Sequence, residues 1–143
     1  MPPHVYGLDE DASALAAKAA RIAKDVALPR AQDVDQKGRF PRESLDALAK
    51  GGFHGLSVPK EHGGLGQGPR AFAAVVEELA QACSSTAMVY VMHVTAAQPI
   101  AVSKTLAGKG DLLKEIASGR HLTTLAFSER GSQSQFWAPV SRL

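Results

Sequence analysis

The chain has 143 residues, 16 Lys plus Arg against 14 Asp plus Glu, five His and 45% hydrophobic residues, the profile of one soluble globular domain. A chain this long buries about 68% of the surface its unfolded form exposes, so it needs neither disulfides nor a metal to hold a core. The formal charge of +2 comes with no block of like charges, which argues against a nucleic acid or an anionic membrane surface as an electrostatic partner. The single cysteine, Cys83, allows no intramolecular disulfide and no Cys-based zinc site.

The N-terminus lacks the apolar core of a secretory signal, and Asp9-Glu10-Asp11 stand where a mitochondrial presequence avoids acids, so a cytoplasmic location is expected. A first helix is predicted from about Asp11 to Ala27, with Leu15, Ala19, Ile22 and Val26 on its apolar stripe. Pro29 should end it or begin a looser segment. Pro41 falls where a first helical residue belongs, Leu45, Leu48 and Ala49 give a short second helix its apolar face, and Gly51-Gly52 stop it.

Phe53 to Gly68 is rich in glycine and should form an ordered, irregular loop. Pro69 restarts the helical pattern, and Phe72, Val75, Val76, Leu79, Ala80 and Cys83 form the most regular amphipathic stripe. Ser84-Ser85 is a candidate cap for a following helix that is apolar nearly all round, and Pro99 should kink, end or restart that helix. From Leu79 to Ser103 no Asp, Glu, Lys or Arg occurs, but Gln81, Ser84, Ser85, Thr86, His93, Thr95 and Gln98 make a buried core helix the better reading than a membrane span. A last helix near Lys109 to Ser118 groups Leu112, Leu113 and Ile116 and stops at Gly119.

At His121 the pattern changes. Leu122 to Phe127 is β-prone, and a polar turn from Ser128 to Gln135 follows it. A lone strand cannot satisfy its own backbone, so the expected fold is mainly α: an irregular bundle of five or six helices, then the first strand and loop of a β domain the chain does not complete. Domain limits of 1–120 and 121–143 follow.

Few residues offer chemistry. Gly64-Leu-Gly66-Gln-Gly68 invites a phosphate-loop reading, but it lacks the GxGxxG spacing and a Lys-Ser/Thr sequel, which favours glycines that permit a turn. His54, His62 and His93 have no carboxylate or cysteine at metal-ligand spacing and read as structural, so no metal site is expected. Glu77 and Glu78 are adjacent on a helix and diverge by about 100°, so they cannot face one site together. Ser128, Ser132 and Ser134 offer hydroxyls to a polar ligand.

Asp35, Gly38, Phe40-Pro41, Leu45, Gly52, Gly55, Pro59 and Gly63-Gly64-Leu65-Gly66 lie in one run from Asp35 to Gly66. That run resembles the Asp…Gly-x-Phe-Pro…Leu…Gly-x-x-Gly…Pro-x-x-x-Gly-Gly-x-Gly pattern of the acyl-CoA dehydrogenase family. His93 to Ile100 is similar to that family's segment of His followed by Pro-Ile. Leu125 to Trp137 sits where the family has its Thr/Ser-Glu-Pro-x-x-Gly-Ser-Asp flavin loop. The resemblance runs from about Leu8 to Pro139.

It implies an FAD enzyme of fatty acid metabolism that removes hydrogens from the α and β carbons of an acyl-CoA, passing hydride to flavin N5. Electrons would leave through a partner such as an electron-transfer flavoprotein, and the full-length protein would form a homo-oligomer. By position, Leu125, Phe127, Ser128 and Ser134 would bind the flavin, Phe127 and Ser128 through backbone amides and Ser128 also through its hydroxyl near N5. Ser134 would also contact acyl-CoA. No residue matches the family's catalytic Glu, so no catalytic residue is nominated, and the chain alone is expected to be inactive. Arg130, Gln133 and Gln135 depart from the family's Pro, Gly and Asp. Two alternatives stay open: a stand-alone helical binding module without catalysis, and part of a related flavin monooxygenase.

Overall fold

A computed structural model of the chain describes residues 6–126, 129–131 and 140. Helix α1 (Glu10–Ile22) starts where the Asp9 carboxylate accepts the Ala12 N–H at 2.8 Å, with Glu10 and Asp11 placed favourably toward the helix dipole. Its buried face is Ala12, Ala16 and Ala19, while Leu15 and Ile22 of the expected stripe are half-buried at its flank. Small side chains face inward because α1 lies against α4, and alanines permit a close approach of the two backbones.

Pro29 does not end the helical path. The backbone widens to a π-helical turn (Ala23–Ala27), tightens to a 3₁₀ turn (Leu28–Arg30) and continues as α2 (Ala31–Lys37). Pro29 falls in the first turn of the 3₁₀ segment, the part of a helix where proline is best tolerated. Gly38 closes α2 at a φ of 57°.

Helix α3 (Arg42–Lys50) buries Leu45 and Leu48 as expected, with Pro41 one residue earlier than predicted, at the cap. Gly52 turns the chain out at a φ of 83°. The segment from Phe53 to Gly68 is irregular but not peripheral: Phe53, Leu56 and Val58 are buried to 1% exposure or less, so this loop forms part of the core.

Helix α4 (Pro69–Ala82) buries Ala71, Ala74, Val75 and Leu79, with Phe72 and Val76 half-buried. Ala80, placed on the predicted stripe, is exposed. The stripe is rotated because α4 packs between α1 and α5 and turns its small residues inward. One extended residue, the buried Cys83, joins it to α5 (Ser84–Val102). The expected Ser84-Ser85 cap is absent; Cys83 holds the cap position and no side chain bonds the first turn.

Helix α5 passes through Pro99 to Val102 and buries Tyr90, His93, Val94 and Ala97, so the buried-helix reading holds. Among the described residues no helix is long and apolar enough to cross a membrane. Helix α6 (Lys109–Ala117) sets Leu113 and Ile116 on Val58 and Ala97, and Gly119 ends it at a φ of 79°.

The main cluster joins Leu45, Leu48, Phe53, Leu56, Val75, Leu79 and Tyr90. Fully burying each such aliphatic or phenyl side chain contributes about 1.5–3 kcal/mol. The Tyr90 hydroxyl, inside this cluster, donates to the Phe53 carbonyl at 2.9 Å and ties the loop to α5. The architecture is mainly α, as predicted. Residues 121–126 run without helical or strand pairing, because no described residue supplies the neighbouring strand a ladder needs.

Candidate functional site

The glycine-rich loop is a folded turn whose amides are already used. Leu65 N–H donates to the Gly55 carbonyl at 2.9 Å, Gly66 to Val58 at 3.0 Å and Gln67 to Leu56 at 2.8 Å, while Gly63 and Gly64 bond back to Lys60 and Pro59. Gly63 and Gly66 have φ values of 81° and 61°, and Gly64 lies against Val58 too closely for any side chain. An anion would find no free row of donors there, which supports the turn reading over the phosphate reading.

Two apolar depressions border the loop. One, of about 670 Å³, runs between α1 and the loop past Leu15, Lys18, Arg21, Lys60 and Leu65. Lys18 is engaged within the fold: its ammonium donates to the Gly51 carbonyl at 2.8 Å and sits 5.7 Å from the Phe53 ring centre. The other, of about 270 Å³, lies between Ser57, Gln67, Pro69 and Phe72 on one side and Val94, Thr95 and Gln98 of α5 on the other. Gln98 closes it by donating to the Ser57 hydroxyl at 2.6 Å.

The histidines divide. His62 sits at the loop surface, whereas His54 and His93 are buried with ring centres 4.6 Å apart. His93 Nε2 lies 3.1 Å from the His54 carbonyl, and its Nδ1 receives the Thr123 N–H at 3.0 Å. Burial, aided by the neighbouring His54, pushes the His93 imidazole down to about 4. His54 is likewise lowered, chiefly by burial, against the opposing pull of Asp46. Among the described residues neither His54 ring nitrogen has a partner in hydrogen-bonding geometry; the Leu45 carbonyl is near enough only to favour the protonated ring. The structural reading of these two residues holds, but Thr123, 30 residues away, carries no spacing signal that could have paired it with His93.

Several carboxylates lie in surface ion pairs. Lys37 and Arg39 hold Asp33 below its usual range, Arg39 does the same to Glu43, and Arg120 to Glu115. Glu77 accepts from Tyr6 and raises that phenol, while Glu78 points elsewhere on α4, so the two acids form no joint site. Among the described residues no three His, Cys, Asp or Glu side chains gather as a metal site.

Of the four flavin positions named from the sequence, Leu125 is half-buried at the end of the segment that Thr123 anchors. Phe127, Ser128 and Ser134 lie outside the described residues, as do Gln133 and Gln135. Among the described residues the amides of Thr124, Leu125 and Ala126 donate to no backbone carbonyl.

Residues 9–120 match the family model described as acyl-CoA dehydrogenase, N-terminal domain. The chain is 31% identical over 130 residues to the probable acyl-CoA dehydrogenase fadE25 of Mycobacterium leprae, covering 91% of this chain and 33% of that protein. It is 34% identical over 114 residues to the probable acyl-CoA dehydrogenase YngJ of Bacillus subtilis, covering 79% and 30%. It is 35% identical over 104 residues to subunit CarC of the caffeyl-CoA reductase-Etf complex of Acetobacterium woodii, covering 71% and 27%. The chain thus spans about a third of the length of these relatives. A solved structure described as the electron transferring flavoprotein of Acidaminococcus fermentans superposes with a TM-score of 0.83 at 27% identity, over 92% of this chain and 35% of that one.

Proposed function

This chain belongs to the acyl-CoA dehydrogenase family, and from that premise we propose that it is the N-terminal part of an FAD-dependent enzyme acting on the α and β carbons of an acyl-CoA. The match of residues 9–120 to the family's N-terminal domain carries the reading. Residues 1–120 form its helical domain and residues 121–143 begin its middle β domain. The amides of Thr124 to Ala126, which donate to no backbone carbonyl among the described residues, suit a segment that joins a larger sheet.

FAD would be held through Leu125, Phe127, Ser128 and Ser134. The half-exposed Leu125 suits an apolar wall against a ring system, and hydroxyls and amides suit the polar flavin edge. When bound, the flavin supplies the hydride acceptor. Residues of this chain would bind and orient: Ser128 would donate at the flavin edge, Phe127 would offer its amide, and Ser134 would contact both flavin and acyl-CoA. No residue here serves as the catalytic base; the carboxylates with shifted proton affinity are all pushed down by cations, the opposite of what a base near neutral pH needs. The chain alone turns over no acyl-CoA.

Electrons pass to a flavoprotein partner, a reading supported by the names of the A. fermentans structure and of the CarC complex. The CarC name also favours a second direction, reduction of a Cα–Cβ double bond by the same flavin. The protein is cytoplasmic and, with its remaining domains, a homo-oligomer.

Fusing the chain in frame at residue 143 to the C-terminal two thirds of a relative tests this. A yellow protein that reduces an artificial acceptor with acyl-CoA is expected, while the unfused chain stays colourless and inactive. A soluble, colourless fusion overturns the flavoenzyme reading, and steady turnover by the unfused chain overturns its incompleteness.

A further inference from the structure

His54, His93 and Thr123 form a buried junction that the proposed chemistry does not use. His93 is fully buried, and its Nε2 faces the His54 carbonyl at 3.1 Å. A carbonyl only accepts, so Nε2 carries the proton and Nδ1 presents a lone pair. That lone pair takes the Thr123 N–H at 3.0 Å, and the Thr123 hydroxyl, also 3.0 Å from Nδ1, donates to the His93 carbonyl at 2.9 Å. Three separate pieces of chain therefore meet through one imidazole: the loop at His54, helix α5 at His93, and the segment after α6 at Thr123.

We propose that His93 is a positioning residue: by accepting the Thr123 amide at Nδ1 it fixes the register of the segment that leads into the flavin loop. The assignment of that loop to flavin rests on the function proposed above; the clasp itself does not. Leu125 lies two residues beyond Thr123, and exposure alternates from Leu122 to Ala126, so a slip of one residue at the clasp would exchange half-buried Leu125 with an exposed neighbour. The clasp tolerates only the neutral ring. Protonating Nδ1 sets two donors face to face, and the groups that face His93, namely His54 and His121, with Asp46 behind His54, include no carboxylate in contact to compensate.

The test uses nitrogen-15 NMR on the 143-residue chain and flavin titration of the fusion described above. At neutral pH His93 is expected as the Nε2–H tautomer with Nδ1 accepting, and the Thr123 amide to exchange at least tenfold more slowly than those of Thr124 and Ala126. Thr123→Pro removes the donor at a half-buried position while leaving the core intact. It should shift the Nδ1 resonance, raise the His93 titration midpoint and weaken flavin binding by the fusion about tenfold. His93→Asn, which keeps an acceptor oxygen near the place of Nδ1, should retain more flavin affinity than His93→Leu.

An Nδ1 resonance and midpoint unmoved by Thr123→Pro, or a flavin affinity unmoved in a fusion that binds flavin, overturns the proposal. A fusion that never binds flavin refutes the flavoenzyme reading instead, and the NMR signals alone then decide the clasp.

Discussion

Gly63 and Gly64 adjoin in sequence yet should respond to alanine for different reasons. At Gly64 an added Cβ would lie 2.5 Å from the Val58 Cβ and 2.6 Å from its carbonyl carbon, and closer still to its carbonyl oxygen. Val58 cannot move aside: it is 1% exposed, its carbonyl accepts the Gly66 N–H at 3.0 Å, and its side chain packs with Leu113 and Ile116. Overpacking of this kind costs about 1–3 kcal/mol, and losing the Gly66 bond adds about 1. Gly64→Ala should therefore destabilise by roughly 3 kcal/mol, a large share of the roughly 5–15 kcal/mol typical of a domain. Gly63 has nothing within 4 Å of its Cβ position but a φ of 81°. The left-handed conformation costs alanine about 1–2 kcal/mol, and the stiffer unfolded chain returns about 0.4–1. Its net loss should be about 1 kcal/mol or less. Urea unfolding followed by far-ultraviolet circular dichroism measures both variants. Equal losses, or a larger loss at Gly63, would refute the claim that close approach to Val58, rather than backbone conformation, governs this turn.

Acid should weaken the fold before the carboxylates titrate. His93 has its folded value lowered to about 4 from 6.5, so the neutral form is favoured by folding and the stabilisation is complete above pH 6.5. It is lost progressively as pH falls toward 4, at up to about 1.4 kcal/mol per pH unit; a urea midpoint unchanged between pH 7 and pH 5 would contradict this. Tyr90→Phe removes the 2.9 Å donor from the Phe53 carbonyl, which keeps the Leu56 N–H at 3.1 Å, and should cost about 0.5–1.5 kcal/mol, read as a lowered melting temperature; an unchanged or raised one would count against that bond. Asp9→Ala removes the cap from α1 and should cost about 0.5–2 kcal/mol, whereas Asp9→Asn restores most of it; equal losses in the two variants would implicate charge rather than the hydrogen bond.

What was legible in the sequence was local. Gly52 and Gly119 end helices at positive φ, Pro69 opens α4, and Leu113 with Ile116 mark the buried side of α6, each through a preference that needs no distant partner. Pro29 does not end the helical path because the π-helical turn before it packs against α3 and α4 and the 3₁₀ turn around it leads straight into α2. The α4 stripe was misplaced toward Ala80 because hydrophobicity ranks Phe72 and Val76 above alanine, while a three-helix contact selects the small residues Ala71 and Ala74 for the inner face. The His93–Thr123 bond was illegible because neither residue's type or spacing implies the other.

The motif residues on which the resemblance rests shape backbone. Pro41 caps α3, Gly52 and Gly63 supply positive φ, and Gly64 admits the Val58 carbonyl, so a chain that keeps them keeps this fold whatever it catalyses. Relatives named as dehydrogenases and relatives named as reductases share this helical part, as expected when a fold is a scaffold and chemistry resides in a grafted site. The direction of the reaction must then be set by groups that touch flavin and substrate, not by the helices. Under the proposed function those groups follow Thr123, where the resemblance sets Arg130, Gln133 and Gln135 against the family's Pro, Gly and Asp. The hydrogen bonds of Thr123 to His93 tie α5 to the start of that segment, which is where the proposed clasp would couple scaffold to site.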